Sequence, residues 1–335
     1  MATIYDIAKH VGVSAGTVSR ALSRPDKVLP ATRARIEQAA AKLGYVPNTV
    51  ARTLKTQRSG KILVTVPDIA NPFFAQILQG AEDAAQAAGY AVLLGDTQHQ
   101  PDREERYAQM LRRNEADGLI VLGHRLPPTA REIVQALGVA APVVNGCEFD
   151  PALGIPSVHI DNAAAARTVM EHLYALGHER IAVVGGPPDN PLHQQRLEGV
   201  RAAGKARGRL RGLSVVPGDF SLESGHAAAT ALLARPLAPT AVFCFSDQMA
   251  LGALSACRDL GIRVPDQVSI VGFDDLASSR FLTPPLTTIR QPMRDIGARA
   301  VSLLLAIIER VDVPLQQTLD FSLMLRGSTA APANG

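Results

Sequence analysis

The stretch VSAGTVSRALS occupies residues 13–23 and decides how the first part of the chain folds. Ser14 is a good helix N-cap, because its hydroxyl can accept from the unpaired amides of a first turn. On a helix starting there, Val18, Ala21 and Leu22 share one face, while Ala15, Gly16, Ser19 and Arg20 share the other. The open side is therefore small and smooth and carries one guanidinium. Working outward, Ile7, Ala8 and Val11 mark an earlier helix that ends near Gly12, the residue suited to a tight turn. Ile36, Ala39, Ala40 and Leu43 mark a third helix that opens at Ala31-Thr32, and Gly44-Tyr45-Val46-Pro47 closes the block. Residues 1–47 are expected to form a three-helix, helix-turn-helix headpiece.

Charge supports a polyanionic partner for this segment. Residues 1–60 hold ten Lys and Arg against three Asp and Glu, whereas the rest of the chain is net −4 and the whole is +3. A small helical face bearing one Arg suits insertion into the DNA major groove. The guanidinium can bond bidentately to guanine, and an Ala methyl can touch the methyl of thymine. Thr3, Ser14, Thr17 and Ser19 offer hydroxyl donors to phosphates. One such helix reads half a site, so a homodimer on a pseudo-palindromic operator is expected.

NTVARTLKTQRSGK, 48–61, follows as a basic connector with Val50 and Leu54 at helical spacing. A helix of about seven residues is marginal in water unless something holds it. A hinge helix and linker over 48–60 is the expectation.

From Lys61 the pattern changes. β-branched runs (KILVTVPD, AVLLGD, DGLIVLG, SVHIDN, RIAVVGG, TAVFCFSD, VSIVGFDD) alternate with Ala- and Leu-rich helical stretches. Such alternation means parallel strands covered on both faces, and two rounds of it imply two doubly wound lobes, an α/β body. The expected lobes are 61–160 plus 291–319 and 161–290 plus 320–330, within a body of 61–335. Ligands of such sheets sit at the carboxyl ends of the strands, where Asp68, Asp96, Asp161, Ser246-Asp247 and Asp274-Asp275 stand. Helix 295–309 and the helix starting near Pro72 have enough apolar residues for either an interface or a buried core.

Several classes are disfavoured. No Walker loop, GxGxxG after the first strand, GxSxG elbow or His/Cys metal cluster occurs, and the prolines of GGPPDNP remove amides that a phosphate cradle needs. Neither an enzyme nor a cofactor is expected. Cys147, Cys244 and Cys257 are too scattered for a disulfide framework and read as buried thiols of a reducing cytoplasm. No signal peptide and no apolar run of about 18 residues is visible, so a cytoplasmic location without membrane contact is expected. A secreted solute-binding protein would share the two-lobed body but lack the basic headpiece.

TIYDIAKHVGVSAGTVSRALS and ATRARIEQAAAKLGYVPNTVARTL resemble the headpiece and hinge of the LacI/GalR family of bacterial repressors. VPDIANPFFAQILQGAE, GHERIAVVGG, PTAVFCFSDQMALGAL, VPDQVSIVGFDD and PPLTTIRQP match the family's landmarks in order, so the resemblance spans the chain. It implies a periplasmic-binding-protein-like body, operator DNA as partner and a small-molecule effector between the lobes. It implies that Ala15, Gly16 and Arg20 read base edges, with Tyr5, Asn48, Ala51 and Lys55 also at the DNA. Leu54 falls where a hinge leucine wedges into the minor groove. Within the family, VPDIANPFF, GDTQHQ, LGHRLP and CEFDPALGIPSVHIDN are similar to its cytidine-responsive members, although Leu54 follows the general pattern instead. A nucleoside effector is thereby implied, cytidine first, with a purine base or a sugar as alternatives. The residues implied to hold it are Asp68, Phe73, Phe74, Glu148, Asp161, Arg196, Phe220, Ser246, Asp247 and Asp274. Taken singly, the Phe pair suits a core and Asp274-Asp275 a cap; the resemblance makes them a site. The residues leave open whether DNA binding represses or activates.

Overall fold

Thr3 begins the first helix through a reciprocal cap: Asp6 N–H donates to Thr3 Oγ1 at 3.3 Å, and Thr3 N–H donates to Asp6 Oδ2 at 2.8 Å. The computed structural model in which this is seen describes residues 2–23, 25–45 and 58–333. It separates into two units, Met1–Ser59 and Gly60–Gly335.

In the first unit, α1 (Ile4–Val11) stops at Gly12, whose φ of 74° is left-handed. Helix α2 (Ala15–Ser23) starts at Ser14, whose Oγ accepts from Thr17 N–H at 3.1 Å. Helix α3 (Pro30–Lys42) opens on a proline, which forfeits no bond at a helix start. Ile7, Val11, Val18, Ala21, Ile36 and Ala39 meet in one small core. Arg35 Nη2 donates to the Val11 carbonyl at 2.7 Å, satisfying an acceptor that the end of α1 leaves open.

The second unit is α/β with parallel sheets. Strands β1 (Lys61–Val66), β2 (Ala91–Asp96), β3 (Gly118–Val121), β4 (Val143–Gly146) and β5 (Ser157–Ile160) alternate with helices α4 (Pro72–Ala87), α5 (Pro101–Arg112) and α6 (Pro128–Leu137). After β5 come α7 (Asn162–Ala175), β6 (Ile181–Val184), α8 (Pro191–Ala206), β7 (Leu213–Val216), α9 (Leu222–Leu233), β8 (Ala241–Cys244), α10 (Asp247–Asp259) and β9 (Ser269–Val271). The chain closes with β10 (Thr288–Arg290), α11 (Met293–Ile308), β11 (Gln316–Leu319) and β12 (Ser322–Met324). One sheet runs β11-β5-β4-β3-β1-β2 and the other β7-β6-β8-β9, while β10 and β12 pair antiparallel. With β10 and β12 counted beside the second sheet, to which bridges at Val271–Thr287 and Asp274–Arg290 tie them, the chain passes between the two sides three times, after β5, β10 and β11.

Both faces of the first sheet are packed. Ile62, Val64 and Val66 of β1 enter one cluster and Leu63 enters another, as the period of two requires. The apolar residues of α4 and α11 are spent on the core, where the two helices cross against each other. A Cβ on Gly80 would lie 1.9 Å from the Arg294 carbonyl oxygen, and one on Gly297 would lie 2.0 Å from that of Ile77. Only glycines permit that approach. Among the described residues no helix is long and apolar enough to cross a membrane.

Candidate functional site

On the first unit, Val18 and Ala21 are buried while Gly16 and Arg20 are exposed. Ala15, Thr17 and Ser19 are half-buried beside them, and Tyr5 stands 71% exposed on α1. Among the described residues no hydrogen bond or ion pair engages the Arg20 side chain. Three expected phosphate donors are otherwise employed. The Thr3 hydroxyl donates to Asp6 Oδ2 at 2.8 Å, and the Ser14 and Thr17 hydroxyls share a hydrogen bond of 2.9 Å, because the starts of α1 and α2 need side-chain caps. Asn48, Ala51, Leu54 and Lys55 lie outside the described residues.

In the second unit, the carboxyl ends of the two sheets face a shared cavity of about 620 Å³. The first sheet contributes Asp68 after β1, His124 and Arg125 after β3, and Glu148 after β4, with Phe73 and Phe74 from the start of α4. Asn71 caps α4 by accepting from Phe73 N–H at 3.0 Å, which sets both rings at the cavity, edge to face at 5.2 Å. The second sheet contributes Asn190, Arg196, Phe220, Ser246 and Asp274.

Phe220 has a left-handed backbone, φ 68°, and its ring lies where a Cβ on Gly186 would be, 2.1 Å from Cζ. The second glycine of GGPPDNP therefore clears space for a ring on the cavity wall. Phosphate has no part in it.

Arg196 is only 2% exposed. Its Nε donates to Asn162 Oδ1 at 2.9 Å, its Nη1 donates to the Phe245 carbonyl, and its guanidinium lies 3.6 Å over the Phe273 ring. Burial lowers its pKa to about 10, with the Asp274 charge acting the other way. Burial raises the Asp274 carboxyl, and Arg196 partly offsets this. Gln291 Nε2 donates to Asp274 Oδ1 at 2.7 Å.

Two expected residues are not brought to the cavity. Asp161 directly precedes α7, and its Oδ1 accepts from Ala164 N–H at 2.8 Å, so the helix start takes its carboxylate. Asp247 is buried beside the wall, where Leu276 N–H (2.8 Å) and the Ser279 and Thr288 hydroxyls (2.5 and 2.6 Å) donate to it. Desolvation pushes its carboxyl upward despite those bonds. The Ser246 hydroxyl caps α10, accepting from Met249 N–H at 3.1 Å.

His124 and Asn190 are wall residues that the sequence did not mark. His124 Nδ1 lies 2.9 Å from Glu148 Oε2, and this bond raises its pKa against the opposing effect of burial. Asn190 Nδ2 reaches the same oxygen at 3.4 Å from the other sheet. The available signal is position, since both follow buried strands.

Carboxylates outnumber guanidiniums on the wall six to two: Asp68, Glu148, Asp189, Asp219, Glu223 and Asp274 against Arg125 and Arg196. Such a wall disfavours an anionic ligand. It can stack a planar ring and accept hydrogen bonds from hydroxyl or amino groups.

Comparison with known proteins connects both surfaces. Residues 3–48 match the model described as bacterial regulatory proteins, lacI family, and residues 170–329 match a periplasmic binding protein-like domain. The chain is 43% identical over 332 residues to the HTH-type transcriptional repressor CytR of Escherichia coli K12, covering 98% of this chain and 97% of that protein. It is 35% identical over 304 residues to the catabolite control protein A of Priestia megaterium, covering 90% and 91%. The lac repressor dimer bound to operator and the anti-inducer ONPF aligns with a TM-score of 0.88 at 31% identity, covering 98% of this chain and 99% of that one.

Proposed function

The chain belongs to the LacI family and is a DNA-binding transcriptional repressor, and from that premise we propose that its effector is a nucleoside, cytidine first, whose binding in the inter-sheet cavity weakens operator binding. The observation that carries the proposal is the wall itself. Phe73, Phe74 and Phe220 offer ring faces, while Arg196 and Asp274 offer polar groups for a ribose, in a volume of about 620 Å³. A nucleotide would set its phosphate against the excess of carboxylates.

Residues 1–47 read DNA, 48–60 connect, and 61–335 hold the ligand and the partner protomer. Ala15, Gly16 and Arg20 face base edges, with Tyr5, Asn48, Ala51, Leu54 and Lys55 at the backbone or minor groove. A homodimer supplies two such surfaces to a pseudo-palindromic operator. An effector shifts DNA affinity only through unequal affinity for two arrangements of the body. The three passages between the sheets are the chain segments available as hinges for such a change.

Calorimetric titration with cytidine, uridine, adenosine, hypoxanthine and ribose, paired with operator binding in the presence of each, tests the proposal. The expected result is binding by a nucleoside that lowers operator affinity by about 5- to 150-fold. Heat from a free base or ribose alone, with none from any nucleoside, overturns the effector assignment and leaves the repressor intact.

A further inference from the structure

Glu148 is 5% exposed, yet it lines the cavity. Its two oxygens are used unequally. Oε2 receives His124 Nδ1 at 2.9 Å from the same sheet's loops and Asn190 Nδ2 at 3.4 Å from across the cavity. Asn190 cannot turn its amide round, because its Oδ1 caps α8 by accepting from Leu192 N–H at 2.8 Å. Oε1 receives no donor from any described residue. A carboxylate is acceptor-only, and a buried one with an open oxygen requires a donor from whatever fills the space.

Position along α8 says which part of a ligand that is. Arg196 lies six residues beyond Asn190, roughly 9 Å down the helix axis, so the Arg196–Asp274 pair and Glu148 address opposite ends of a bound molecule. Phe73 and Phe74 share a buried cluster with Cys147, the residue before Glu148. Phe73, Phe74 and Glu148 line the cavity from the first sheet's side and Arg196 and Asp274 from the second's, so the stacking rings accompany Glu148.

We infer that Glu148, held by His124 and Asn190, is the residue that selects the base: its free Oε1 accepts from an exocyclic amino group, so an amino base is preferred to its oxo counterpart. This rests on the nucleoside reading of the cavity. The oxo base would set a carbonyl oxygen against the carboxylate, two acceptors with no proton between them. His124 and Asn190 are positioning residues that keep Oε2 occupied and Oε1 turned to the ligand.

Titration of the wild-type full chain with cytidine and uridine measures the preference directly. Cytidine is expected to bind about 10- to 100-fold more tightly. Glu148→Gln, whose amide can donate where the carboxylate accepts, is expected to reduce that ratio at least tenfold, chiefly by losing cytidine. A thermal melt verifies that the variant is folded, and the wild-type ratio stands without it. Equal wild-type affinities, or an E148Q that weakens both nucleosides by one factor, place a sugar hydroxyl on Oε1 and overturn the inference alone. Binding by ribose and by no nucleoside overturns the effector reading and the inference together.

Discussion

Arg20 and Arg196 are the same side chain in opposite settings. Arg20 stands exposed on α2, and no described residue bonds to it. Arg196 is buried on Asn162, Phe245 and Phe273, from three separate segments, and feels the Asp274 charge. A surface that reads another molecule needs a helix and a clean face, which about ten adjoining residues supply. The floor of a cavity needs partners that meet only when the whole body has folded. The first surface stores little folding energy and the second a great deal.

Arg196→Ala presses that contrast hardest. It leaves the Phe245 carbonyl and Asn162 Oδ1 without their donor and Asp274 without its countercharge. Leaving two buried acceptors without their charged donor costs about 1–3 kcal/mol apiece, so the denaturation midpoint of the body should fall steeply and ligand heat should vanish. A loss below about 1 kcal/mol would mean the guanidinium contributes to the ligand alone.

Arg20→Ala is the matching change on the other surface. Stability should stay within about 0.5 kcal/mol, because no described residue loses a partner. Operator affinity should fall by about 1–3 kcal/mol, with relaxed preference at one base pair in each half-site. Measured on operator and random DNA together, equal weakening on both would reassign Arg20 to a phosphate.

The same contrast governs what could be foreseen. The Ser14 cap, the turn at Gly12 and the split of α2 into Val18–Ala21 and Gly16–Arg20 faces are local, and all were legible, whereas Thr3, read as a phosphate donor, caps α1. So was most of the order of strands and helices, since period two and period 3.6 differ within a few residues, although β4, β7, α6 and α9 were not read. The cavity was legible only in part. Asp161, Asp247 and Asp274 look alike in sequence, each acidic at the end of a strand, but Ala164 N–H takes the first and Leu276, Ser279 and Thr288 take the second. Only the third lines the cavity. No spacing announces that Asn190 will meet Glu148, 42 residues away, across two sheets. Gly80 and Gly297 resemble ordinary helix-weakening glycines until the crossing of α4 and α11 is seen.

The smallest effect concerns His124, a cavity group whose pKa is raised. Its pKa is raised from 6.5, first by the hydrogen bond to Glu148 and then by that carboxylate's charge, with Asp189 adding and burial and Arg125 subtracting. The folded chain thus holds this proton more tightly than the unfolded chain does. The stabilisation is complete below about pH 6.5, the unfolded value, and is lost as pH rises through the folded value. Four other histidines, His159, His172, His178 and His193, are lowered by burial and act in the opposite direction, losing stability as pH falls. The wild-type profile alone therefore mixes both signs. The difference between wild type and His124→Gln isolates one of them, because the four buried histidines are common to both. Denaturant midpoints from pH 5.5 to 8.5 should show an advantage of wild type over H124Q that shrinks as pH rises, by less than about 1 kcal/mol, since part of the ring is open to solvent. A difference independent of pH would mean that His124 sits on Glu148 as a neutral ring, and the raised pKa would be wrong. A difference that grows with pH would mean the proton is held by the unfolded chain instead, which the 2.9 Å contact to a carboxylate forbids.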